Sequence, residues 1–193
     1  PKGLFIAVSL FIIIMTAPYS SAPAQPGVFS REDIIRYTPL WKGERLPDGR
    51  PKVSDELLER MKKVSMEEAW GVLQGRGFIN QFEMDWVKTH ENPTLVGRAV
   101  TAVFMPSRPD FNDVIAAEGK RDGRIGGQNS WVIDTLQKGD VLVVDLFGKI
   151  AWGTFAGDNL ANSIKAKSGN GFIIDGACRD LEGILEIPDC PVF

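Results

Sequence analysis

Residues 157–180 read GDNLANSIKAKSGNGFIIDGACRD, and the α/β pattern of the chain is clearest in this segment. Gly157-Asp158 stands at the start of a predicted helix, and the helix leads into a short apolar run that predicts a buried strand. After a turn that contains glycine, the segment ends in Arg179-Asp180. Two aspartate-bearing turns therefore follow two consecutive elements of an α/β pattern. Such an arrangement can hold a divalent metal ion and a small anionic substrate, which points to an enzyme.

Around this stretch, strands and helices alternate through the second half of the chain. Alternation of this kind favours parallel strands joined by crossover helices, and therefore an α/β fold. In chain order we predict a strand at 95–105, a helix at 110–121, a helix at 131–136 capped by Asn129 or Ser130, a strand at 141–146, a hairpin at 148–155, a helix at 158–167, a strand at 172–175, a helix at 181–185 and the start of a strand at 191–193.

The first 24 residues have the pattern of a signal peptide. Lys2 precedes a run at residues 4–15 that is apolar apart from Ser9, and Ala22-Pro23-Ala24 resembles a cleavage site. The run is short for a membrane span. We therefore expect export to the periplasm or the medium, with no membrane association after cleavage. A retained membrane anchor is the alternative.

Residues 25–94 predict an N-terminal arm, partly extended and partly helical. Four prolines interrupt its first half, and three serines stand where helices could begin. Ser30 could cap a helix at 31–37 and Ser54 one at 53–64, while Ser65 and Glu68 form a capping-box pattern for a helix at 65–74. Residues 95–193 then form the α/β domain.

Composition and charge exclude several kinds of function. The formal net charge of −3, without a dense basic stripe, does not favour nucleic-acid binding. The only histidine, His90, cannot build a histidine-rich metal site, and we expect it in a solvated loop. The two cysteines, Cys178 and Cys190, could pair in an exported protein, but two unpaired thiols are the favoured interpretation.

The predicted helix start at Gly157 can bind an anion. The N–H groups of a first helical turn have no partner within the helix, and the helix dipole favours negative charge there. A glycine lets a ligand approach the backbone closely. A carboxylate or phosphate could therefore rest on the amides of residues 157–160. The alternative is that Asp158 or Asn159 caps its own helix.

Arg179-Asp180 lies beyond the end of a predicted strand, where ligands gather in open α/β folds. Mg²⁺ is usually held by one or two protein carboxylates, with waters and substrate oxygens as its other ligands. A single aspartate, Asp180, is therefore enough, and the fork of Arg179 suits a carboxylate or an enolate oxygen. A surface charge pair between these two residues is the alternative.

Three short motifs, in this order, resemble one known family. They are GDNLA at residues 157–161, IDGA at 174–177 and Arg179-Asp180, with Arg179 following Asp158 by 21 residues. Together they resemble the regulator of ribonuclease activity A family. They are most similar to its metal-dependent branch, the 4-hydroxy-4-methyl-2-oxoglutarate (class II pyruvate) aldolases. The resemblance covers roughly residues 95–193.

The resemblance implies a swivelling β/β/α three-layer sandwich that assembles as trimers or hexamers, with active sites between subunits. Because the last residues look like the beginning of a strand, we expect a domain truncated at its C-terminus. In the family, that final part can contribute an acidic residue to a neighbouring subunit's site. Without it, the chain could be inactive by itself.

The resemblance also implies a role for each residue of the site. The small-molecule substrate would be a 2-oxo acid, and the metal would be Mg²⁺ or Mn²⁺, acting as a Lewis acid that stabilises a pyruvate enolate. Asp158 would position a water for proton transfer. The implied binding groups are the amides of Gly157, Asp158, Asn159 and Leu160 for the pyruvyl carboxylate, Arg179 for the keto or enolate oxygen, and Asp180 for the metal.

Two functions follow from the resemblance. The first is a divalent-metal-dependent lyase that cleaves a 4-hydroxy-2-oxo acid to pyruvate, and that could decarboxylate oxaloacetate through the same enolate. The second is a non-catalytic binding protein similar to the ribonuclease regulators, which typically lack the acidic residue after the arginine. Asp180 favours the enzyme, and an exported chain would not meet a cytoplasmic ribonuclease.

Overall fold

A computed structural model of the protein describes residues 29–193, so the predicted signal peptide at 1–24 lies outside the described residues. Within residues 29–193, no helix is both long enough and apolar enough to cross a membrane. The elements follow in the order α1 (Arg31–Tyr37), α2 (Asp55–Met61), α3 (Met66–Gly75), β1 (Arg98–Val103), α4 (Pro109–Arg121), α5 (Gln128–Asp134), β2 (Asp140–Asp145), α6 (Asp158–Ser168), β3 (Phe172–Asp175) and α7 (Leu181–Leu185).

The three strands form one parallel sheet in the order β1-β2-β3. Thr101 of β1 is level with Val143 of β2, which is level with Ile173 of β3. The mixed α/β class and the parallel pairing that the alternating pattern predicted are thereby confirmed. Parallel strands also end at the same edge of the sheet, so the segments that follow each strand are brought together.

The hydrophobic core lies on the face of the sheet that α5, α6 and α7 cover. Leu142 and Phe172 point from the strands, Ile164 from α6 and Ile184 from α7, and all four are fully buried. Complete burial of a large apolar side chain stabilises a fold by about 1.5–3 kcal/mol relative to exposure. This core therefore fixes the starts of α6 and α7, where the candidate site lies.

A buried charge cluster ties the N-terminal arm to the other end of the sheet. Asp140 is fully buried, and its carboxylate accepts hydrogen bonds from Arg50 Nη2 and Arg98 Nε, each at 3.1 Å, and from the amide of Gln137 at 2.9 Å. Burial acts to lower the pKa of Arg50, but its hydrogen bonds to Asp140 and Asp48 outweigh burial and raise it. The cluster anchors the arm to the start of β2.

The helices predicted in the arm are present. Ser30 and Asp33 form a capping box at α1, Ser65 and Glu68 form another at α3, and the Ser54 hydroxyl accepts the amide of Leu57 at α2. At the other end of the chain, the predicted start of a strand also pairs. The amide of Phe172 donates to the carbonyl of Pro191 at 3.1 Å, and that of Ile174 to Phe193 at 2.9 Å.

Two predictions for the middle of the chain are wrong. The helix α5 begins at Gln128 after Gly127, without a side-chain cap, because the Asn129 side chain bonds to the backbone of Ser130 and Phe155 instead. The hairpin predicted at 148–155 is absent from this described segment. Its residues form turns, and its extended end pairs in parallel with the chain after β3.

Candidate functional site

The two aspartate-bearing turns lie side by side. Thr154 pairs in parallel with Ala177, and the amide of Phe155 donates to the carbonyl of Ala177 at 3.0 Å. One step further on, the amide of Arg179 donates to the carbonyl of Ala156, also at 3.0 Å. These backbone bonds continue the parallel arrangement beyond the sheet. They set the start of α6 directly against the start of α7.

Gly157 and Asp180 are in close contact. A β-carbon built on Gly157 would lie 2.1 Å from Oδ2 of Asp180 and 3.2 Å from Cγ of Arg179. The φ of Gly157 is −109°, which any residue can adopt, so the backbone does not require glycine here. The lack of space favours glycine instead, because the Asp180 carboxylate occupies the volume that a side chain at residue 157 would fill.

The start of α6 presents backbone N–H groups. Gly157 is its N-cap, no side chain caps it, and the first intrahelical bond runs from the amide of Ala161 to the carbonyl of Gly157 at 3.0 Å. The amide of Asn159 donates to Oδ1 of Asp158 at 2.7 Å. The alternative that Asp158 or Asn159 caps the helix is therefore wrong. Asp158 occupies the amide of Asn159, one of the four amides that the resemblance assigned to the substrate carboxylate, while the other amides and the positive end of the helix dipole remain.

The ion pair between Arg179 and Asp180 is present and exposed. Nε of Arg179 lies 3.4 Å from Oδ2 of Asp180, and the two side chains are 71% and 52% exposed. A pair exposed to this extent contributes about 0–1 kcal/mol to stability. Both groups therefore remain accessible to a ligand at little energetic cost.

The backbone of Asp180 is left-handed, with φ 56° and ψ 45°. This conformation costs an L-residue about 1–2 kcal/mol, less for aspartate, and such residues cluster at functional sites. Asp180 does not use its side chain to cap α7. The strained backbone instead holds its carboxylate against Gly157.

A second glycine makes room for the other predicted carboxylate. A β-carbon on Gly183, in α7, would lie 2.8 Å from Cβ and 2.9 Å from Oδ2 of Asp158. Asp158 thus packs on α7, while Asp180 packs on the start of α6. The four predicted residues Gly157, Asp158, Arg179 and Asp180 therefore meet where the two helices begin, and Asn159 and Leu160 follow in the first turn of α6.

The residues present suit a hard divalent cation. Within residues 29–193, no group of three or more His, Cys, Asp or Glu side chains could hold a metal ion. Mg²⁺, however, needs only one or two protein carboxylates when waters and substrate oxygens complete its octahedron. Asp180 is such a carboxylate, and its exposure leaves space for those other ligands. Its contact with Gly157 fixes the position of the carboxylate.

Cys178 and His90 take no visible part in this arrangement. Both cysteines are free thiols, as favoured from the sequence, and burial raises the pKa of each. The His90 side chain lies in a loop and is partly buried, where its Nδ1 is 2.8 Å from Oγ1 of Thr89.

A groove next to the site is a feature that sequence reasoning missed. It has a volume of about 420 Å³, and Thr154 and Phe155, just before Gly157, form part of its wall. Gly126 and Gly127 also line it. The glycine pair Gly126-Gly127 is the sequence feature that could have indicated the groove.

A family model described as "RraA-like: Aldolase/RraA" matches residues 51–193. The chain belongs to the RraA-like family. No curated protein matches the chain significantly. The match to the RraA-like model begins within the N-terminal arm, before the domain that the sequence motifs mark out.

Solved structures agree with the RraA-like assignment. One is RraAS2 of Streptomyces coelicolor, described as an unusual member of the RNase ES inhibitor RraA protein family, with 27% identity and a TM-score of 0.51. The match covers 78% of this chain and 63% of RraAS2, so the chain spans less than two thirds of that relative.

Two further structures share the fold at lower identity. The first, from work on novel cellulases from microbes of the gut ecosystem, has 22% identity, a TM-score of 0.58 and coverage of 86% of this chain and 67% of its own. The second is an uncharacterised protein of Pseudomonas syringae pv. tomato, with 18% identity, a TM-score of 0.52 and coverage of 78% and 58%. They support the fold alone.

Proposed function

We propose that this RraA-like protein is a divalent-metal-dependent lyase that cleaves a 4-hydroxy-2-oxo acid and releases pyruvate. The observation that carries the proposal is the contact between the Asp180 carboxylate and Gly157 at the start of α6. It puts a potential metal ligand, an exposed guanidinium and a set of free backbone donors within one small volume. Oxaloacetate decarboxylation needs the same groups.

The chain's own residues bind and orient the 2-oxo acid. Its carboxylate rests on the first-turn amides of α6, at Gly157, Asp158 and Leu160, where the helix dipole favours negative charge. The Arg179 guanidinium faces the 2-oxo oxygen. When the C3–C4 bond breaks, its electron pair moves toward that oxygen, and the adjacent positive charge stabilises it.

Proton transfer completes the reaction. A base must remove the C4 hydroxyl proton as the C3–C4 bond breaks, and C3 of the resulting enolate must then be protonated. We assign Asp158 the positioning of a water for these transfers, since its carboxylate is held at the start of α6 by the amide of Asn159. Asp180 would hold Mg²⁺ or Mn²⁺, directly or through water. The metal would supply Lewis-acid stabilisation of the negative charge on the substrate oxygen.

The assembly also belongs to the proposal. We expect a trimer or hexamer with a β/β/α sandwich in each subunit and sites at subunit interfaces, in a protein exported by the segment at 1–24. These properties follow from the family resemblance and from the pattern of the first residues.

The second candidate is a non-catalytic regulator. It is favoured by the 27% identity to RraAS2, a protein described as belonging to an RNase inhibitor family. A regulator would bind its partner through its surface and would need neither a metal nor the strained Asp180. The positioned carboxylate at Gly157 therefore favours the lyase.

The test is pyruvate release by the full-length protein from 4-hydroxy-4-methyl-2-oxoglutarate, followed by coupled reduction with lactate dehydrogenase. We expect activity with Mg²⁺ and none with excess EDTA. Arg179→Ala should lower kcat/KM by roughly 10²-fold or more, as expected when a charge-stabilising donor is lost. Arg121→Ala is the matched control, because Arg121 is 62% exposed and, like Arg179, forms an ion pair with the aspartate that follows it, at 3.5 Å. Release that neither EDTA nor Arg179→Ala lowers would reject the proposal.

A further inference from the structure

The groove beside the candidate site opens beyond the carboxyl ends of two strands. Phe104 follows β1 and Leu146 follows β2, and both line the groove, together with Phe155. The rings of Phe104 and Phe155 are 5.4 Å apart. Its volume of about 420 Å³ lies in the range of small-molecule sites, about 300–1,000 Å³. The position is also where α/β folds collect ligands.

The groove lies next to the proposed binding site along the chain, because Phe155, which lines it, precedes Gly157 by two residues. Extended chain advances about 3.3 Å per residue, so Phe155 lies about 7 Å from Gly157 along the backbone. Across this short distance, a substrate whose carboxylate rests at the start of α6 could extend its other end to the groove wall. That end is the part of a 4-hydroxy-2-oxo acid beyond C4, which leaves as the carbonyl product.

The aromatic wall of the groove is fixed in place. Trp131 packs on α4 at Gly119, where a β-carbon would lie 2.1 Å from its ring, and its Nε1 donates to the carbonyl of Gly126 at 3.2 Å. A glycine in the middle of a helix is unfavourable by itself, by about 0.5–1 kcal/mol relative to alanine. Gly119 therefore has a packing role, which is to admit the indole of Trp131.

The polar part of the lining consists of amide and hydroxyl groups. Gln128 Nε2 donates to Oδ1 of Asn112 at 3.0 Å, and Asn129 Nδ2 donates to the carbonyl of Phe155 at 3.3 Å. Among the described residues that line the groove there is no Lys, Arg, Asp or Glu. A carboxylate placed there would lose hydration without gaining a cationic partner, which is costly, whereas an apolar group would gain from burial.

One cation lies close to the groove wall. The Arg124 guanidinium is 5.8 Å from the Trp131 ring, and its Nε is buried without a hydrogen-bond partner. Arg124 is not among the residues that line the groove. Because Arg124 contacts the indole and does not line the groove, its guanidinium is not placed to pair with a carboxylate bound there.

We propose that this groove selects a substrate whose end beyond C4 is neutral and apolar, such as an aryl or branched alkyl group, and not a second carboxylate. The inference rests on the proposed lyase function and names the substrate class of that site. It predicts that 4-hydroxy-4-methyl-2-oxoglutarate, whose far end is charged, is cleaved less efficiently than a 4-hydroxy-2-oxo acid with a neutral, apolar end.

The experiment compares three 2-oxo acids that lack a 4-hydroxyl group and therefore cannot undergo the retro-aldol cleavage. Calorimetry with the full-length protein and Mg²⁺ measures the Kd of 2-oxo-4-phenylbutanoate, 2-oxoglutarate and pyruvate. We expect the phenyl acid to bind about tenfold or more tightly than 2-oxoglutarate, the scale on which apolar pockets discriminate. Equal binding, or tighter binding of 2-oxoglutarate, would overturn the proposal.

Two variants link the preference to the groove. Ala116 lies on the exposed side of α4 and lines the groove, so Ala116→Phe should fill it and abolish the advantage of the phenyl acid while leaving pyruvate binding unchanged. Gln128→Arg should add a cation and tighten 2-oxoglutarate binding. An advantage that survives Ala116→Phe, or a carboxylate preference that Arg124→Leu abolishes, would refute the groove assignment. If pyruvate itself does not bind, the lyase proposal fails as well, whereas pyruvate binding without a phenyl advantage refutes the groove alone.

Discussion

Replacing Gly157 by alanine separates the chemistry of the site from the stability of the fold. A β-carbon at residue 157 would lie 2.1 Å from Oδ2 of Asp180, whereas ordinary contacts begin at 3.4 Å, so that oxygen must withdraw by about 1.3 Å. Because the Asp180 side chain is 52% exposed, it can swing away into solvent. The site is then displaced while the fold survives.

Gly157→Ala is expected to change the stability of the fold little and the rate of pyruvate release strongly. Alanine at a compatible φ stabilises a protein by about 0.4–1 kcal/mol, because it lowers the conformational entropy of the unfolded chain. This gain offsets part of the steric cost. We therefore expect the free energy of unfolding, measured in urea, to change by no more than about 1 kcal/mol. A misplacement of about 1 Å in a catalytic arrangement can cost roughly 10²-fold in rate. We therefore predict a loss of about that size in Mg²⁺-dependent pyruvate release.

Gly71→Ala is the control for Gly157→Ala. Gly71 lies inside α3, and a β-carbon there would have no neighbour within 4 Å. This variant should keep full activity and gain up to about 1 kcal/mol from helix propensity. Normal pyruvate release by Gly157→Ala, with unchanged metal affinity, would refute the view that Gly157 holds the Asp180 carboxylate in position.

Three further predictions concern the scaffold around the site. Asp140→Asn leaves Arg50 and Arg98 without their buried partner, so urea unfolding should show a loss of about 3–5 kcal/mol in the free energy of unfolding. The control Asp134→Asn removes an exposed pair with Lys167 and should cost under about 1 kcal/mol. Equal losses would contradict the anchoring of the arm at Asp140. Because burial raises the pKa of Cys178, iodoacetamide should modify this thiol more slowly in the folded than in the urea-unfolded protein. The thiol's contribution to stability should be lost as the pH rises above the unfolded thiol's pKa of about 8.5. Rapid modification of Cys178 in the folded protein at about pH 7 would contradict this. Gly183→Ala should displace Asp158 and lower kcat more than it raises KM, since Asp158 is assigned to proton transfer; a change in KM alone would assign Asp158 to binding.

Local patterns in the sequence predicted much of the fold. Apolar runs at Val141 and Phe172 predicted strands because buried strands of a parallel sheet are nearly continuous hydrophobic runs. Serines before acidic first turns predicted the helices of the arm. Parallel pairing followed from the alternation of elements. These signals are local, so each could be interpreted without knowledge of its neighbours in space.

The wrong predictions concern segments whose structure depends on contacts between residues that are distant in the sequence. Asn129 does not cap α5 because its side chain reaches Phe155, 26 residues away, and residues 148–155 form no hairpin because Thr154 finds a partner at Ala177. The meeting of Gly157 with Asp180 could be expected from the ordered motifs, but not the contact that makes glycine necessary. The groove was missed because its walls come from segments between Phe104 and Phe155 that no single pattern connects.

The central claim is that Asp180 binds a divalent cation at the start of α6. Its most direct test is Mn²⁺ binding to the full-length protein, followed by electron paramagnetic resonance. The wild type is compared with Asp180→Asn and with Asp122→Asn, which changes the acidic member of the other Arg-Asp pair of adjacent residues, Arg121–Asp122. The account predicts that Mn²⁺ binds the wild type and Asp122→Asn alike, and that Asp180→Asn weakens binding by roughly tenfold or more, about 1.4 kcal/mol. Equal Mn²⁺ affinity in all three proteins, or no binding to the wild type, would contradict it.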